Sequence, residues 1–557
     1  MRYLRSKICK GHKIMKKYVI GIDFGTLSGR TVLFDAIDGR EIAISELAYP
    51  HAVMDKSLPC GKKLPNQFAL QHPEDYLEVL RTTIPDVLAK GKILADEVAG
   101  LGIDFTACTL LPVDADGTPL CMTEKFSDEP HAYVKLWKHH AAQAEADEVT
   151  RVAHERGEDW IETFGSKISS EWAIPKILET LRKAPMVYEA TDRFYEAGDW
   201  LSFMLTGEES HAAAFAGYKA LWRAGKGYPS KEYFKALDPR LENLIGTKLS
   251  SEVRTVDKIA GHLNERGAAL TGLAVGTAVA LPMIDAHAAL PAIGAVNSGD
   301  IVMIIGTSSC HIMHSDKCSD VMGICGYVED GVVPGCTTYE AGQSCVGDGF
   351  AWFVDNLVPA SYTKEAEEKG ISIHKLLGEK ASALEVGESG LLALDWFNGN
   401  RSILNDANLS GVILGLTLST RAEEIYRALL EATAYGSRII IDQFEKNGLE
   451  IKEIRAAGGI AKKDPLMMQI YADVLKKPIY IADTTQAGAI GSAIYAAYVA
   501  EMYPTVNDAA KTLGVACTTK YTPIAANSER YEKLYKEYVR LHDYFGRGEN
   551  DVMKKIR

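Results

Sequence analysis

The sequence predicts an α/β protein made of two comparable halves, and three observations carry that prediction. Residues 18–36, "YVIGIDFGTLSGRTVLFDA", read as a strand over 17–23, a Gly/Thr/Ser turn over 24–29 and a second strand over 30–36. "DIVMIIGTSSCHIMHSD", residues 300–316, repeats the pattern, with Gly306-Thr307 standing where Gly25-Thr26 stand in the first copy. The third observation is length: 557 residues suffice for two large domains. Two such hairpins about 280 residues apart imply an internal duplication, one hairpin to each half.

Between the hairpins, residues 74–90 read as a helix. "EVAGLGIDFTACTLLPVDADGTPL" reads as strands with an Asp-Gly turn. Residues 130–240 are rich in helix signals, the longest being "KLWKHHAAQAEADEVTRVAHERG". Strand character returns at "TAVALPMID", followed by a small-residue helix at "AHAALPAIGAV". After the second hairpin, "IRAAGGIAKKDPLMMQIYADVLKKPIYIA" reads as a strand ending at Ala457, a break at Gly458-Gly459, a helix from Asp464 to Leu475 and a further strand. "TTQAGAIGSAIYAAYVA" then gives a helix of Gly, Ala and Ser suited to close packing. The domain division expected from this is 15–294 and 295–557. Residues 1–14, with five Lys or Arg and no acid, form an N-terminal extension lacking the apolar core of a signal peptide.

Composition narrows the function. A formal charge of -13 and no long basic stripe disfavour nucleic acid. No apolar run reaches the length of a membrane span. Ten cysteines without a CxxC are expected to be reduced thiols in a cytoplasmic protein. His311 and His314 form an HxxH pair on a strand-like segment, where both rings need not share a face. No GxxxxGK[ST] is present, so P-loop chemistry is not expected.

What remains points to phosphate. The turn at Gly25, Thr26 and Ser28 can hold phosphate oxygens, and so can the turn at Gly306 and Thr307. An acid beside such a turn, Asp23, repels a polyphosphate unless a magnesium ion stands between them; the alternative is an Asp that bonds its own turn. Arg30 adds charge there or forms a salt bridge within the hairpin. Asp285, between an apolar strand and a helix, reads either as a helix cap or as the base that accepts a substrate hydroxyl proton. Gly458 and Gly459 read as turn glycines or as a place where a ligand approaches the backbone. Trp137 and Trp172 suit sugar stacking or, more commonly, a core.

At these combined positions the chain resembles a known family. "IGIDFGTLSGR", "IIGTSSC" and "AAGGIAKKDPLMMQIYAD" resemble the first phosphate, second phosphate and adenosine motifs of the FGGY carbohydrate kinases, relatives of actin, hexokinase and the heat-shock ATPases. The match runs from about residue 17 to 545. "GIDFTACTLLPVDADGTPL", "KISSEW", "GYKALW", "IDAHAA", "YEAGQSCVGDGFAWF" and "LLALDWFNGNRS" are similar to the branch that phosphorylates ribulose at O5 in bacterial arabinose catabolism. The resemblance implies two RNase-H-like domains flanking an interdomain cleft, ATP and Mg2+ as cofactors and a small ketopentose as substrate. It makes Asp285 the catalytic base and a sugar ligand, and it implies sugar contacts from the Ala107 backbone, Lys219 and Glu340. Asp23 becomes the metal-side acid, and the glycine turns hold nucleotide. In "LWKHH", His139 replaces an acid common in other sugar kinases, which leaves ligand contact and packing both open. A kinase for another pentulose or a pentitol such as ribitol is the alternative within the class; an actin-like nucleotide module without kinase activity, or a regulatory sugar sensor, lies outside it. The oligomeric state, a homodimer included, is left open by the sequence.

Overall fold

The computed structural model describes residues 16–556, and the expected extension at 1–14 lies outside the described residues. The chain forms two compact units. One holds the chain up to Val296 together with Tyr327–Thr338 and Gln486–Val515; the other holds Asn297–Gly326, Tyr339–Thr485 and the chain from Ala516 onward. Two later segments therefore group with the first unit, one of them the small-residue helix. The folded units are not two uninterrupted halves.

The first unit is organised by a sheet of β1 (Tyr18–Phe24), β2 (Ser28–Asp35), β3 (Glu41–Ala48), β4 (Val98–Phe105), β5 (Ile259–His262), β6 (Ala278–Ala280) and β7 (Met283–Ile284). Its order is β5–β6–β4–β1–β2–β3, with β7 also pairing β4. β1 and β2 form the antiparallel hairpin, while β1, β6 and β7 all run parallel to β4 or neighbour it in that sense. β4 is buried along its whole length, as a parallel strand covered on both faces should be. The first turn is tighter than expected, since the strands extend to Phe24 and from Ser28. "TAVALPMID" splits into two short strands around Leu281-Pro282, because proline has no N–H to give the ladder.

Helix α1 (Pro73–Gly91) begins with Pro73 after His72, whose Nδ1 accepts the Glu74 amide, and has Glu74 and Asp75 in its first turn. Proline in the first turn and acids near the positive end both favour that start. The long helix signal at 135–157 is only partly realised: the helix is Gln143–Arg156, and Val134–Lys135 is a strand paired with Leu70–Gln71. Cross-strand pairing there overrides local helix propensity. Further elements of this unit are α2 (Ala173–Lys183), α3 (Asp285–Ala292) and α4 (Ala487–Val499). α4 lies against β1 and β4 at backbone distance. A Cβ on Gly21 would fall 1.8 Å from the Ala489 carbonyl oxygen, and one on Gly102 would fall 2.0 Å from that of Ser492. Only glycine fits either place.

The second unit repeats the hairpin as β8 (Asp300–Ile305) and β9 (Ser309–Ser315), followed by β10 (Thr337–Gln343), β11 (Glu453–Ala457), β12 (Ile479–Ala482) and β13 (Cys517–Tyr521). Its order is β10–β9–β8–β11–β12–β13, with the short strand Gly326–Glu329 beyond β10 as the seventh. The long helix Ala422–Lys446 and the helix Pro465–Leu475 pack with it, the latter capped by Asp464, whose carboxylate accepts the Met467 amide. His311 and His314 are both buried in β9, and His311 Nε2 lies 3.0 Å from Ser437 Oγ, a structural role. All nine described cysteines are free thiols. Among the described residues, no helix is long and apolar enough to cross a membrane.

Candidate active site

Three parallel strands of the first unit end level with one another. Asp23 of β1 pairs with Asp104 of β4, and Met283 of β7 pairs with Asp104 on its other side, so Asp285 follows one step beyond the end of β7. Three carboxylates are thereby gathered at the carboxyl ends of neighbouring parallel strands, the edge at which open α/β sheets bind ligands. Asp285 is the first residue of α3, with Ile284 as the cap, and its Oδ1 accepts the Ala286 amide at 2.6 Å. It is half-buried and held by the helix start; it is not the capping residue itself.

Asp104 escaped the sequence reading. It is fully buried, its Oδ2 accepts the Ser492 hydroxyl at 2.7 Å, and among the described residues its Oδ1 has no hydrogen-bond partner. Burial, reinforced by the charges of Asp23 and Asp285, pushes its carboxyl well above the usual range. Burial also raises Asp23. The signal was present: Gly-Ile-Asp-Phe occurs at 21–24 and again at 102–105, and the two copies pair residue for residue. Phe24 and Phe105 stack at 5.0 Å beneath them.

The first turn is clamped from several directions. Gly25 donates to the Ser28 carbonyl, Tyr49 Oη donates to the Gly25 carbonyl at 3.0 Å, and Gln71 donates to the Thr26 carbonyl at 2.8 Å. Trp137 Nε1 donates to Thr26 Oγ1 at 3.2 Å; Trp172, by contrast, is buried in an apolar cluster. Ser28 Oγ donates to Glu46 at 2.8 Å, so this hydroxyl already has a protein partner. Arg30 pairs with the same Glu46 at 2.8 Å, across from it on β3: a salt bridge, with its partner one strand beyond the expected hairpin.

Ala107 lies in the loop between β4 and the strand Leu110–Val113, and Thr106 N donates to Phe24 O, which ties that loop to the first turn. Lys219 ends the short helix Ala213–Lys219 and is buried, not the surface lysine its composition allows. Glu340 lies in the middle of β10 and is half-buried. His139 is buried, with Nε2 3.0 Å from Glu179 and Nδ1 accepting the Ala69 amide, so packing accounts for it.

In the second unit, Gly306 donates to the Ser308 carbonyl, and the Val346 and Gly347 amides donate back to Thr307 and Gly306. β8 and β11 are parallel neighbours, so Gly306-Thr307 and Gly458-Gly459 follow the ends of adjacent strands. Gly458 has φ +101°, and a Cβ there would fall 2.3 Å from the Ile305 carbonyl oxygen. Glycine is required at 458 by the backbone. Around Gly459 the space is open.

Asp23 and Asp104, paired across neighbouring strands, offer carboxylate oxygens of the kind a hard divalent cation takes. Among the described residues, His51, His72 and Asp75 place ligand atoms within 4.8 Å of one another, yet His51 Nδ1 is bonded to Asp75 and His72 Nδ1 accepts the Glu74 amide.

An acidic strand end in one unit and a glycine-lined strand end in the other are the features of a phosphotransferase of the sugar-kinase type. Residues 18–291 match the N-terminal domain of the FGGY family of carbohydrate kinases and residues 301–500 match its C-terminal domain; the chain belongs to that family. Within it, the chain is 52% identical over 97% of its length to a ribulokinase of Geobacillus thermodenitrificans, covering 97% of that protein. It is 50% identical over 95% of its length to a ribulokinase of Bacillus licheniformis, 97% of which is covered. The fold is similar to that of a xylulose kinase from Rhodospirillum rubrum, with TM-score 0.75, 22% identity and coverage of 94% of this chain and 98% of the other.

Proposed function

We propose that this chain transfers the γ-phosphoryl group of ATP to O5 of L-ribulose, giving L-ribulose 5-phosphate and ADP, as in L-arabinose catabolism. The observation that carries the chemistry is the gathering of Asp23, Asp104 and Asp285 at the ends of adjacent strands. The likeness to ribulokinases over nearly the whole chain supports the choice of sugar.

Asp285 is the base. Its carboxylate, held through Oδ1 by the Ala286 amide, accepts the O5 proton as the O5–P bond forms and the bond from the γ-phosphorus to the bridging oxygen of ADP breaks. The Ala107 backbone, Lys219 and Glu340 bind the ketopentose, the two charged side chains by hydrogen bonds to sugar hydroxyls. Gly25 and Thr26 in the first turn, and Gly306, Thr307, Gly458 and Gly459 in the second unit, hold the nucleotide. Asp23 and Asp104 would hold Mg2+, directly or through its waters; when bound, that ion neutralises polyphosphate charge. Ser28 contributes to phosphate binding only by exchanging its bond to Glu46.

ADP release is measured over a panel of pentuloses and pentitols, with and without Asp285→Asn. L-Ribulose is expected to be the best acceptor, and the variant to lose about 10²–10⁴-fold in kcat with sugar binding largely kept. Unchanged turnover in the variant removes Asp285 from the reaction, and a preference for ribitol or another pentulose moves the substrate.

A further inference from the structure

Lys176 is fully buried on α2, and among the described residues its ammonium forms no ion pair. Its Nζ donates to three backbone carbonyls: Cys108 at 2.5 Å, Leu136 at 2.9 Å and Lys135 at 3.3 Å. An ammonium has three protons, so the set is complete. A buried cation is expensive to maintain, and burial holds this one below the usual lysine range against the opposing pull of the Glu196 and Glu171 carboxylates. An apolar side chain would fill the same space at lower cost, so the carbonyl cage calls for a reason beyond packing.

The three carbonyls belong to the loop that carries Ala107 and to a segment that touches the first turn. Cys108 follows Ala107 and adopts φ +58°, a left-handed conformation disfavoured for a residue with a side chain. Leu136 precedes Trp137, whose indole donates to Thr26 in the first turn. The loop around Ala107 is also held by the Thr106 amide on Phe24 and by Thr109, whose amide donates to Glu196 at 2.8 Å and whose hydroxyl bonds Thr106. On the same helix, Glu179 and Thr180 accept from Lys135 Nζ, both at 2.7 Å, so one face of α2 is a buried polar stripe laid along 135–139.

We propose that Lys176 is a positioning residue for the sugar: by gripping the Cys108, Lys135 and Leu136 carbonyls with one ammonium, it fixes the Ala107 backbone relative to the Trp137–Thr26 contact. It thereby sets affinity for the ketopentose. This rests on the proposed sugar role of Ala107.

The test compares wild type with Lys176→Met, which keeps length and removes the charge, and with Cys108→Gly, which keeps Lys176 and relaxes the left-handed residue. In Lys176→Met the KM for L-ribulose is expected to rise at least tenfold, with the KM for ATP and the sugar-independent ATP hydrolysis within twofold of wild type. Cys108→Gly is expected to raise the ribulose KM by a smaller factor without lowering Tm. A staple with no positioning role would lower Tm in Lys176→Met and leave the ribulose KM unchanged, which overturns the inference. If Lys176→Met does not fold, an unchanged ribulose KM in Cys108→Gly overturns it instead. Wild type that phosphorylates no ketopentose refutes the proposed function; wild type that does, with both variants unaltered in ribulose KM, refutes the positioning role alone.

Discussion

The two hairpins share a plan and differ in the residues that stand before the turn. In the first unit β1 runs parallel to β4, and the residues facing each other before the turn are Asp23 and Asp104. In the second, β8 runs parallel to β11, and the corresponding pair is Ile304 and Ala457. After β11 the chain enters Gly458-Gly459, whereas after β4 it enters Thr106 and the cross-braced loop of Ala107. Under the proposed function this is a division of labour: the carboxylates of one copy serve cation and base chemistry, and the apolar residues and glycines of the other leave a polyphosphate unrepelled.

The largest expected effect on that contrast is the Asp285→Asn loss of turnover, because it removes the base from the acidic end. Next comes Ile304→Asp, which gives the second hairpin the charge of the first. Without a partner acid to share a cation, that charge faces the nucleotide, and the KM for ATP is expected to rise about tenfold or more, measured at saturating sugar. An unaltered ATP KM would mean that the second turn does not hold phosphate.

A third prediction concerns stability beside the acidic end. Burial holds the His139 imidazole down at about 4. The native state therefore binds fewer protons than the unfolded state between the ordinary histidine value and about pH 4, so stability falls as pH drops through that window. The loss attributable to His139 is about 3 kcal/mol when complete. Urea unfolding from pH 7 to 4 should show it, and His139→Gln should flatten the slope. The smallest effect belongs to Arg30: its pair with Glu46 is partly exposed, so Arg30→Gln is expected to cost no more than about 1 kcal/mol in urea unfolding and to leave turnover within about threefold. A large loss of turnover would return Arg30 to the phosphate site.

Much of this could be read from residues alone because the signals are short-range. A strand pattern broken by Gly-Thr needs only its own neighbours to form a hairpin, and the Ala457–Gly458 break and the Asp464 cap follow from turn and helix-end chemistry. Asp285 was legible as an acid at a strand-to-helix junction. Lys219 was not legible as buried, nor was the strand at Val134–Lys135 inside a helix-rich run, since each depends on what packs against it.

The sequence by itself determined the duplicated hairpin plan, the glycine turns and the acid that opens α3, since backbone preference and hydrophobic period act over a few residues. Tertiary structure alone decided that Asp104 stands beside Asp23, that Lys176 is caged by three carbonyls, that His139 packs against Glu179, and that α4 belongs with the first unit. Those outcomes depend on parallel register and burial between segments far apart in the chain, where charge is set by the neighbours that exclude water.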